Sequence, residues 1–356
     1  MKTALTDRLG LDLPIIQAPM AGTSTPELAA AVSNAGALGS ISLASVDAVE
    51  GRHQIQALKA LTARPVNVNV FCHEPAPSDP ARDRVWIDSL HPIFAEFGAA
   101  PPETLNEIYQ SFLTDDAKLA VLLDEKPAVV SFHFGLPEPD RIAALKAAGC
   151  VLIASATTPD EGRQAQAAGI DMVVAQGVEA GGHRGAFDPA DDPRFATLPL
   201  TRLLARELDI PVIAAGGIMD GAGIAAALAL GAAGAQLGTA FVSCPESAAN
   251  AAYRAALAGP RAGRTRVSPV ISGRPARGIE NAFMQRADET LTAGYPYAYD
   301  LGKALNAAAS LQGDDGYAPQ WAGQAAPLSR ALPAAELVKV LAQETRAAIL
   351  DMQGLL

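Results

Sequence analysis

Eight short apolar runs recur along this sequence, and Ala- and Leu-rich segments with helical periodicity lie between them. The runs cover residues 15–19, 37–42, 66–70, 128–133, 151–154, 172–175, 211–215 and 234–237. They are continuous rather than alternating, which is typical of parallel strands covered on both faces. Eight consecutive strand–helix units predict an α/β fold, the TIM (β/α)8 barrel. A doubly wound sheet would usually carry GxGxxG after its first strand, where this chain has MAGTSTPE.

Two intervals between strands are longer than a barrel helix needs. Residues 71–127 are rich in aromatic residues and predict a folded helical insertion, or lid, over one mouth of the barrel. Residues 176–198 carry QGVEAGGHRG and predict a ligand loop. The predicted barrel therefore comprises residues 1–70 and 128–242. Residues 243–356, with helical runs at 247–258, 298–310 and 333–352, are expected to fold back as a cap that contributes to a second, substrate-binding domain.

Charge and composition exclude several classes of protein. The chain has 27 Lys and Arg against 38 Asp and Glu, and no basic run, which disfavours nucleic-acid binding. It lacks an uninterrupted apolar stretch long enough for a membrane span, and MKTALTDRLG lacks the apolar core of a signal peptide, so we expect a cytoplasmic protein without a membrane partner. Three widely spaced cysteines indicate neither a disulfide framework nor a zinc site.

Two glycine-rich turns end the seventh and eighth predicted strands. Gly216 and Gly217 follow the seventh, and Gln236, Leu237, Gly238 and Thr239 end the eighth. A phosphate group needs backbone N–H donors at close range, which glycine permits, and TIM barrels commonly bind phosphate at these two strand ends. The pair of turns predicts a phosphate site, although a single Gly-Gly would serve equally as a tight turn.

The loop after the sixth strand surrounds one histidine with glycines. Gln176 offers an amide to the edge of a heterocycle, and Gly181 and Gly182 let the backbone lie against a flat ring. His183 would project beside that ring. A neutral imidazole suits proton abstraction and a protonated one suits an oxyanion, so both roles stay open, beside that of a loop histidine bonded to a carbonyl or to solvent.

Other strand ends and a late helix supply further candidates. Asn69 is poorly suited to a strand interior and needs a ligand or backbone partner, and His133 is either a site residue or a core histidine bonded to backbone. The turn containing Ala18 and Met20 can press against an aromatic ring or merely pack. Residues 295, 299 and 303 share one helical face of Tyr, Tyr and Lys, which suits a small anion or a snorkelling surface.

No metal cluster, GxSxG elbow, Walker loop or dinucleotide fingerprint occurs in the sequence. The chemistry should therefore come from an organic cofactor. Two phosphate turns, ring-facing glycines and amide side chains describe flavin mononucleotide (FMN) better than a simple sugar phosphate.

The motifs PIIQAPMAG, NVNVF, SFHFG, QGVEAGGHRG, AAGGI and QLGTAF, followed by YPYAYDLGK and WAGQ, resemble those of the nitronate monooxygenases of the bacterial class I type, formerly called 2-nitropropane dioxygenases. The resemblance runs from residue 15 to about residue 332. It implies a TIM barrel with a helical second domain and tightly, noncovalently bound FMN. It also implies oxidation of alkyl nitronates, notably propionate 3-nitronate, by O2 through a flavin semiquinone, giving a carbonyl product with nitrite and nitrate and needing no nicotinamide.

The resemblance also assigns roles to residues of this chain. It makes His183 the catalytic residue, as a base toward neutral nitroalkanes or a partner for the nitronate. It places His133, Tyr109, Tyr299 and Lys303 in the substrate pocket. It implies flavin contacts for Asn69, Gln176, Gly181, Gly217, Gln236, Leu237, Gly238 and Thr239, to which the reading of the turns adds Ala18, Met20, Gly182 and Gly216.

Two rival functions remain open at this point. One is an NAD(P)H-dependent FMN reductase on the same barrel, acting on a quinone or an enoyl thioester. The other is a flavin- or phosphate-binding barrel without catalytic activity. The expected partners of the favoured reading are a small anionic nitronate and O2, and the sequence leaves monomer and homodimer open.

Overall fold

Eight parallel strands form the central sheet of the computed structural model, which describes residues 1–75 and 77–354. The strands are β1 (Ile15–Gln17), β2 (Gly39–Ser42), β3 (Val66–Phe71), β4 (Val129–His133), β5 (Val151–Ala156), β6 (Met172–Gln176), β8 (Val212–Ala215) and β9 (Gly234–Leu237). Their order in the sheet is β1-β9-β8-β6-β5-β4-β3-β2. A parallel bridge between Ile16 and Leu38 brings the two edge strands together. The predicted TIM (β/α)8 barrel is confirmed.

Fourteen α-helices are found among the described residues. They are α1 (Ala4–Leu9), α2 (Pro26–Asn34), α3 (Ala48–Leu61), α4 (Pro80–Glu96), α5 (Asp116–Glu125), α6 (Pro139–Ala147), α7 (Pro159–Ala167), α8 (Thr197–Glu207), α9 (Gly221–Ala229), α10 (Thr239–Val242), α11 (Ala251–Ala258), α12 (Ala282–Arg286), α13 (Tyr297–Ser310) and α14 (Ala334–Gln353). None of these helices is both long and apolar enough to cross a membrane.

Local sequence signals fix where the barrel helices begin. The Thr25 side chain accepts from the backbone N–H of Leu28, and Pro26 occupies the first turn of α2. At α7, Thr158 before the helix and Glu161 in its first turn form a reciprocal capping box. The Thr and Glu side chains accept from backbone N–H groups that a helix start leaves free, and Pro26 needs no such partner, so these two helices begin at defined residues.

Buried apolar side chains fill the barrel and the space around it. Ile153, Val174 and Ile213 belong to the cluster inside the sheet, and Leu5 of α1 joins them to close the amino end of the barrel. Larger clusters lie between the sheet and the outer helices. The barrel is therefore a packed core at one end, which leaves the carboxyl ends of its strands for a ligand.

A second domain packs over the carboxyl end of the barrel. Helices α4 and α13 share a buried cluster that includes Trp86, Phe94, Phe283 and Leu305. Beside it, β10 (Thr265–Ser268), β11 (Ala276–Ile279) and β7 (Gly182–His183) form a three-stranded antiparallel sheet. Segments from the insertion, the loop after β6 and the C-terminal part thus meet in one domain.

Two helices of the predicted lid and cap pack instead in the outer ring of the barrel. Helix α5 packs against α3 and α6, and α14 packs against α9 and α2. They occupy the positions of the helices that follow β3 and β9. The packing therefore differs from the division at residues 71–127 and 243–356, because α5 and α14 bury their apolar faces on the barrel.

Candidate active site

A deep cleft opens at the carboxyl ends of the barrel strands, beneath the second domain. It encloses about 1370 Å³ of empty space, including its open mouth. The predicted site residues that line it are Ala18, Met20, Asn69, Tyr109, His133, Gln176, Gly181, Gly182, His183, Gly216, Gly217, Gln236, Gly238, Thr239 and Tyr299.

Two predicted site residues do not line the cleft. The Leu237 side chain packs in the shell between the sheet and the outer helices, because alternate residues of a strand face opposite sides. Lys303 stands behind the cleft, with Nζ 4.7 Å from the centre of the Tyr109 ring and 5.3 Å from that of Tyr299. The two rings therefore stand between its ammonium group and the cleft, so its charge acts on the site across them.

One side of the cleft is built from strand-end backbone and is called here the glycine floor: Gly216, Gly217, Gly238 and Thr239. Gly217 has a φ of +69°, and a Cβ added there would lie 3.3 Å from Cβ of Glu179. The backbone N–H groups of Gly217, Gly238 and Thr239 donate to no other described residue. Oγ1 of Thr239 accepts from the N–H of Gly323 at 3.0 Å, which leaves its proton free. The floor thus offers several donors to an anion.

The three predicted amide side chains, Asn69, Gln176 and Gln236, differ in whether they already hydrogen-bond within the protein. Nδ2 of Asn69 already donates to the Ser131 carbonyl and hydroxyl, both at 3.1 Å. Oε1 of Gln176 accepts from the N–H of Gly185 at 2.7 Å. Gln236 makes no hydrogen bond to another described side chain or loop, although it faces the cleft. Its amide is therefore the one of the three that is open to a ligand.

His183 is held on a short strand rather than in a free loop. Gly182 and His183 form β7, which pairs with Arg277 and Ala276 of β11. The carbonyl of His183 accepts from Nε2 of Gln176 at 3.0 Å. The second domain and the barrel thus fix the backbone of this residue together.

The ring of His183 lies against an aromatic wall, a name used here for Tyr109, His133, His183, Tyr299 and Trp321. Its centre is 5.3 Å from the Trp321 ring and 6.2 Å from the Tyr299 ring. Nε2 lies 2.8 Å from Oγ of Ser272. Burial, followed by His133, Arg274 and His73, lowers the pKa of His183 to about 3. The imidazole is therefore neutral at neutral pH, as a proton acceptor requires.

His133 supports the backbone of the His183 strand. Its Nε2 lies 3.3 Å from the His183 carbonyl, which can only accept, so this nitrogen carries the proton. Nδ1 then accepts from the Ser155 hydroxyl at 2.9 Å. Burial lowers the pKa of His133 to about 4, with Arg274 and Arg184 adding to the effect and the bond to His183 opposing it. These contacts favour a structural role for His133, which holds the His183 strand in place, rather than the role of a free acid–base group.

The tyrosines of the wall stay protonated. Burial raises the pKa of Tyr109 to about 12 and that of Tyr299 further. Burial lowers the pKa of Lys303, and Asp300 opposes this. Two neutral phenols backed by an ammonium group can donate hydrogen bonds to a small anion.

Several residues of the site are absent from the sequence predictions. Ser155 hydrogen-bonds to the ring of His133 and Ser272 to that of His183. Arg274 lies buried over the neighbouring Phe134 ring. Tyr253 lines the cleft and donates to the carbonyl of Trp321. The stretch SGRPARG, in which two glycines flank a pair of arginines separated by Pro and Ala, was the available signal for the turn that carries Ser272 and Arg274.

The fold and this cleft define a TIM-barrel enzyme, since a histidine and donor side chains meet at the strand ends where such barrels place catalysis. A family model described as nitronate monooxygenase matches residues 2–344. The chain belongs to the nitronate monooxygenase family, a flavin-dependent class of oxidoreductases that oxidise nitronates.

Individual relatives agree with this assignment. The chain is 58% identical to a nitronate monooxygenase of Paraburkholderia phytofirmans over 98% of this chain and 96% of that one. It is 56% identical to one of Pseudomonas aeruginosa over 96% of this chain and all of that one. Among solved structures, a nitroalkane oxidase from Streptomyces ansochromogenes superposes with a TM-score of 0.90 at 42% identity, covering 98% of this chain and all of that one. FabK from Thermotoga maritima gives 0.79 at 29% identity, with both chains fully covered.

Proposed function

We propose that this protein binds FMN in the cleft and oxidises small alkyl nitronates, propionate 3-nitronate among them, with O2. The products would be a carbonyl compound with nitrite and nitrate. One observation carries the proposal: a single cleft joins the glycine floor to an aromatic wall of neutral histidine and phenol groups. No carboxylate of the described residues lines this cleft, which suits an anionic substrate.

The residues present fit a flavin nucleotide. Unpaired N–H groups on the glycine floor and the free proton of Thr239 suit a phosphate. Gly182 has no atom within 4 Å of its Cβ position, so a flat ring can lie against the backbone there. The free amide of Gln236 suits a polar ring edge. FMN, when bound, would supply the capacity to take electrons from the substrate and pass them to oxygen.

The wall would bind and orient the substrate. Tyr109 and Tyr299 are neutral donors, and Lys303 adds positive charge behind them, so nitronate oxygens are best held at this side. His183, neutral and held by Ser272, would face the reacting carbon or nitrogen and receive a proton where the substrate arrives as the neutral nitroalkane. The second domain above the cleft would exclude water.

The likeness to FabK supports testing one rival, the NAD(P)H-dependent FMN reductase acting on a quinone or an enoyl thioester. The fold is shared at 29% identity, so the barrel alone does not separate the two activities. The choice between them depends on which small molecule reduces the bound flavin.

Anaerobic mixing decides between these functions. The purified yellow protein is mixed with propionate 3-nitronate or with NADH, and absorbance of the flavin is followed. We expect the nitronate to change the spectrum rapidly and NADH to leave it unchanged. An aerobic oxygen electrode should then show uptake with the nitronate and release of nitrite. Rapid bleaching by NADH with no response to the nitronate would overturn the proposed activity. A colourless protein that cannot be reconstituted with FMN would overturn the proposed flavin binding and the activity with it.

A further inference from the structure

The turn at residues 272–274 reaches His183 from the second domain. Oγ of Ser272 lies 2.8 Å from Nε2 of His183, and Ser272 is 0% exposed. Gly273 has a φ of +88°, and a Cβ there would lie 2.6 Å from the backbone nitrogen of Tyr295. Glycine therefore allows the turn to press against the segment before α13 and to hold Ser272 at the ring.

The single proton of the Ser272 hydroxyl has two possible acceptors. Oγ lies 3.1 Å from the carbonyl oxygen of Arg274, and that carbonyl has no other donor among the described residues. A buried acceptor without a donor is costly, so the hydroxyl proton belongs on the Arg274 carbonyl. Nε2 of His183 must then donate to Oγ. In a neutral imidazole the other nitrogen, Nδ1, is left as an acceptor.

Arg274 places a fixed positive charge behind the site. It is 5% exposed, and its guanidinium lies 4.3 Å from the centre of the Phe134 ring. It donates to the carbonyls of Ala186 and Phe187 and forms no ion pair within the described part of the chain. Phe134 in turn lies 5.6 Å from the His183 ring, so the same aromatic ring neighbours both the cation and the histidine.

The groups around His183 all oppose its protonation or are neutral. The titratable and charged groups that face it are His133 at the end of β4, His73 in the segment after β3, Arg274 in the turn, and Tyr295 and Tyr299 around the start of α13. No described carboxylate lies within ion-pair distance of the ring. Nothing in its surroundings therefore favours an imidazolium.

We propose that the turn at residues 272–274 fixes the protonation state of His183. The Ser272 hydroxyl holds the ring proton on Nε2, and the Arg274 guanidinium adds to burial in keeping the ring neutral, so that Nδ1 meets the substrate as a hydrogen-bond acceptor. Ser272 and Arg274 are thus positioning residues that act through His183. The assignment of Nδ1 to a substrate rests on the proposed function, whereas the tautomer itself does not.

The state of His183 can be measured directly in the flavin-loaded protein. The chain has five histidines, so 15N-histidine labelling gives a short spectrum, and His183→Asn assigns the signal in question. We expect a protonated Nε2, an unprotonated Nδ1 and no titration of this ring down to about pH 5. A proton on Nδ1, or a midpoint near the ordinary histidine value of about 6.5, would overturn the proposal without any variant.

Variants separate the hydroxyl from the charge. Ser272→Ala should yield a mixture of the two tautomers. Arg274→Met should raise the His183 midpoint by about one pH unit or more, and Arg274→Lys should raise it less, because the charge is retained. The control is Ser33→Ala, which removes a buried hydroxyl bonded to Pro65 at the opposite end of the barrel and should leave the His183 signals unchanged. A pure Nε2–H tautomer in Ser272→Ala, with an unmoved midpoint in both Arg274 variants, would contradict the proposal.

Activity provides an independent arm. In the profile of kcat/KM against pH, the acid limb of Arg274→Met should move to higher pH along with the NMR midpoint. Absence of nitronate oxidation in a parent protein whose His183 shows the expected tautomer would refute the proposed function and leave the role of the turn intact. Normal nitronate oxidation by a protein whose His183 carries its proton on Nδ1 would refute the role of the turn and leave the proposed function intact.

Discussion

The glycine floor and the aromatic wall face each other across one cleft but are made in different ways. The floor consists of backbone at the ends of two barrel strands, and its donors exist because side chains are missing or small. The wall consists of side chains, several of them from segments outside the barrel strands, and its properties depend on burial and on neighbouring groups. The floor is therefore specified by local chain geometry and the wall by contacts between distant residues. On the proposed function, the floor would retain the cofactor and the wall would act on the substrate.

The largest effect should follow from His183→Asn on the wall. We expect kcat/KM with a nitronate or its nitroalkane to fall by about 10²–10⁴-fold, the usual contribution of a positioned acid–base group. Bound flavin should remain, because the floor is unchanged, so the visible spectrum should match that of the parent. His91→Asn, at an exposed position of α4, serves as the control. An active variant, or one that loses its flavin, would break the separation between floor and wall.

Lys303→Met tests the charge behind the wall. Removing the ammonium group near the Tyr109 and Tyr299 rings should raise KM for an anionic nitronate by about 10–100-fold, because unit charges on opposite sides of a ring attract by roughly 2 kcal/mol at an effective dielectric constant of about 20. The value of kcat should change less. Lys339→Met, exposed on α14, is the matched control, measured by the same oxygen-uptake assay. An unchanged KM would show that the phenols alone hold the anion.

His73→Phe tests whether a buried histidine outside the wall, with its ring 5.0 Å from that of Tyr295, costs stability in acid. His73 is 1% exposed, neither of its ring nitrogens has a hydrogen-bond partner among the described residues, and burial, followed by Arg274, lowers its pKa to about 4. The unfolded chain takes up a proton below about pH 6.5 and the folded chain does not, so stability falls as the pH falls through this range. Between about pH 7.5 and pH 5, the parent should lose about 2 kcal/mol more than the variant.

Urea unfolding at the two pH values measures this difference. His53→Phe, on the exposed surface of α3, should show the acid sensitivity of the parent. Equal losses in the His73 variant and the parent would mean that His73 finds a partner that keeps its pKa near the ordinary value.

The smallest effect is expected on the floor, from Gly217→Ala. A side chain at this positive φ costs about 1–2 kcal/mol, which should weaken flavin binding by about 5–30-fold. The value of KM for the nitronate in the loaded fraction should not change. Gly10→Ala carries similar strain at a φ of +66° with open space around it, so it should lose stability but not flavin. Titration of the apoprotein with FMN compares the two, and equal affinities would contradict a floor role for Gly217.

Local signals were sufficient for the barrel and the floor. Continuous apolar runs predicted all eight strands, because the signal for each strand lies in its own residues and in the turn and helix next to it. The paired glycine turns likewise identified the floor. Thr25 and Pro26 are also local signals, because they mark where α2 begins.

Long-range contacts explain what the sequence did not reveal. Ser272 is 89 residues from His183, and no local pattern connects them. The pairing of β7 with β11 turned an apparent glycine loop into a strand, since a two-residue element has no periodicity to detect. The positions of α5 and α14 in the ring depend on which apolar surface each covers, which helical periodicity does not specify.

The place of α14 has a consequence for how the molecule is assembled. This helix covers the barrel beside α2 and α9, yet the chain first builds α11, β10, β11 and α13 after leaving the last barrel strand. During synthesis, therefore, the apolar flank beside β9 stays bare until residues 334–353 leave the ribosome. A single cut in the chain therefore cannot separate the second domain from the barrel without exposing that flank.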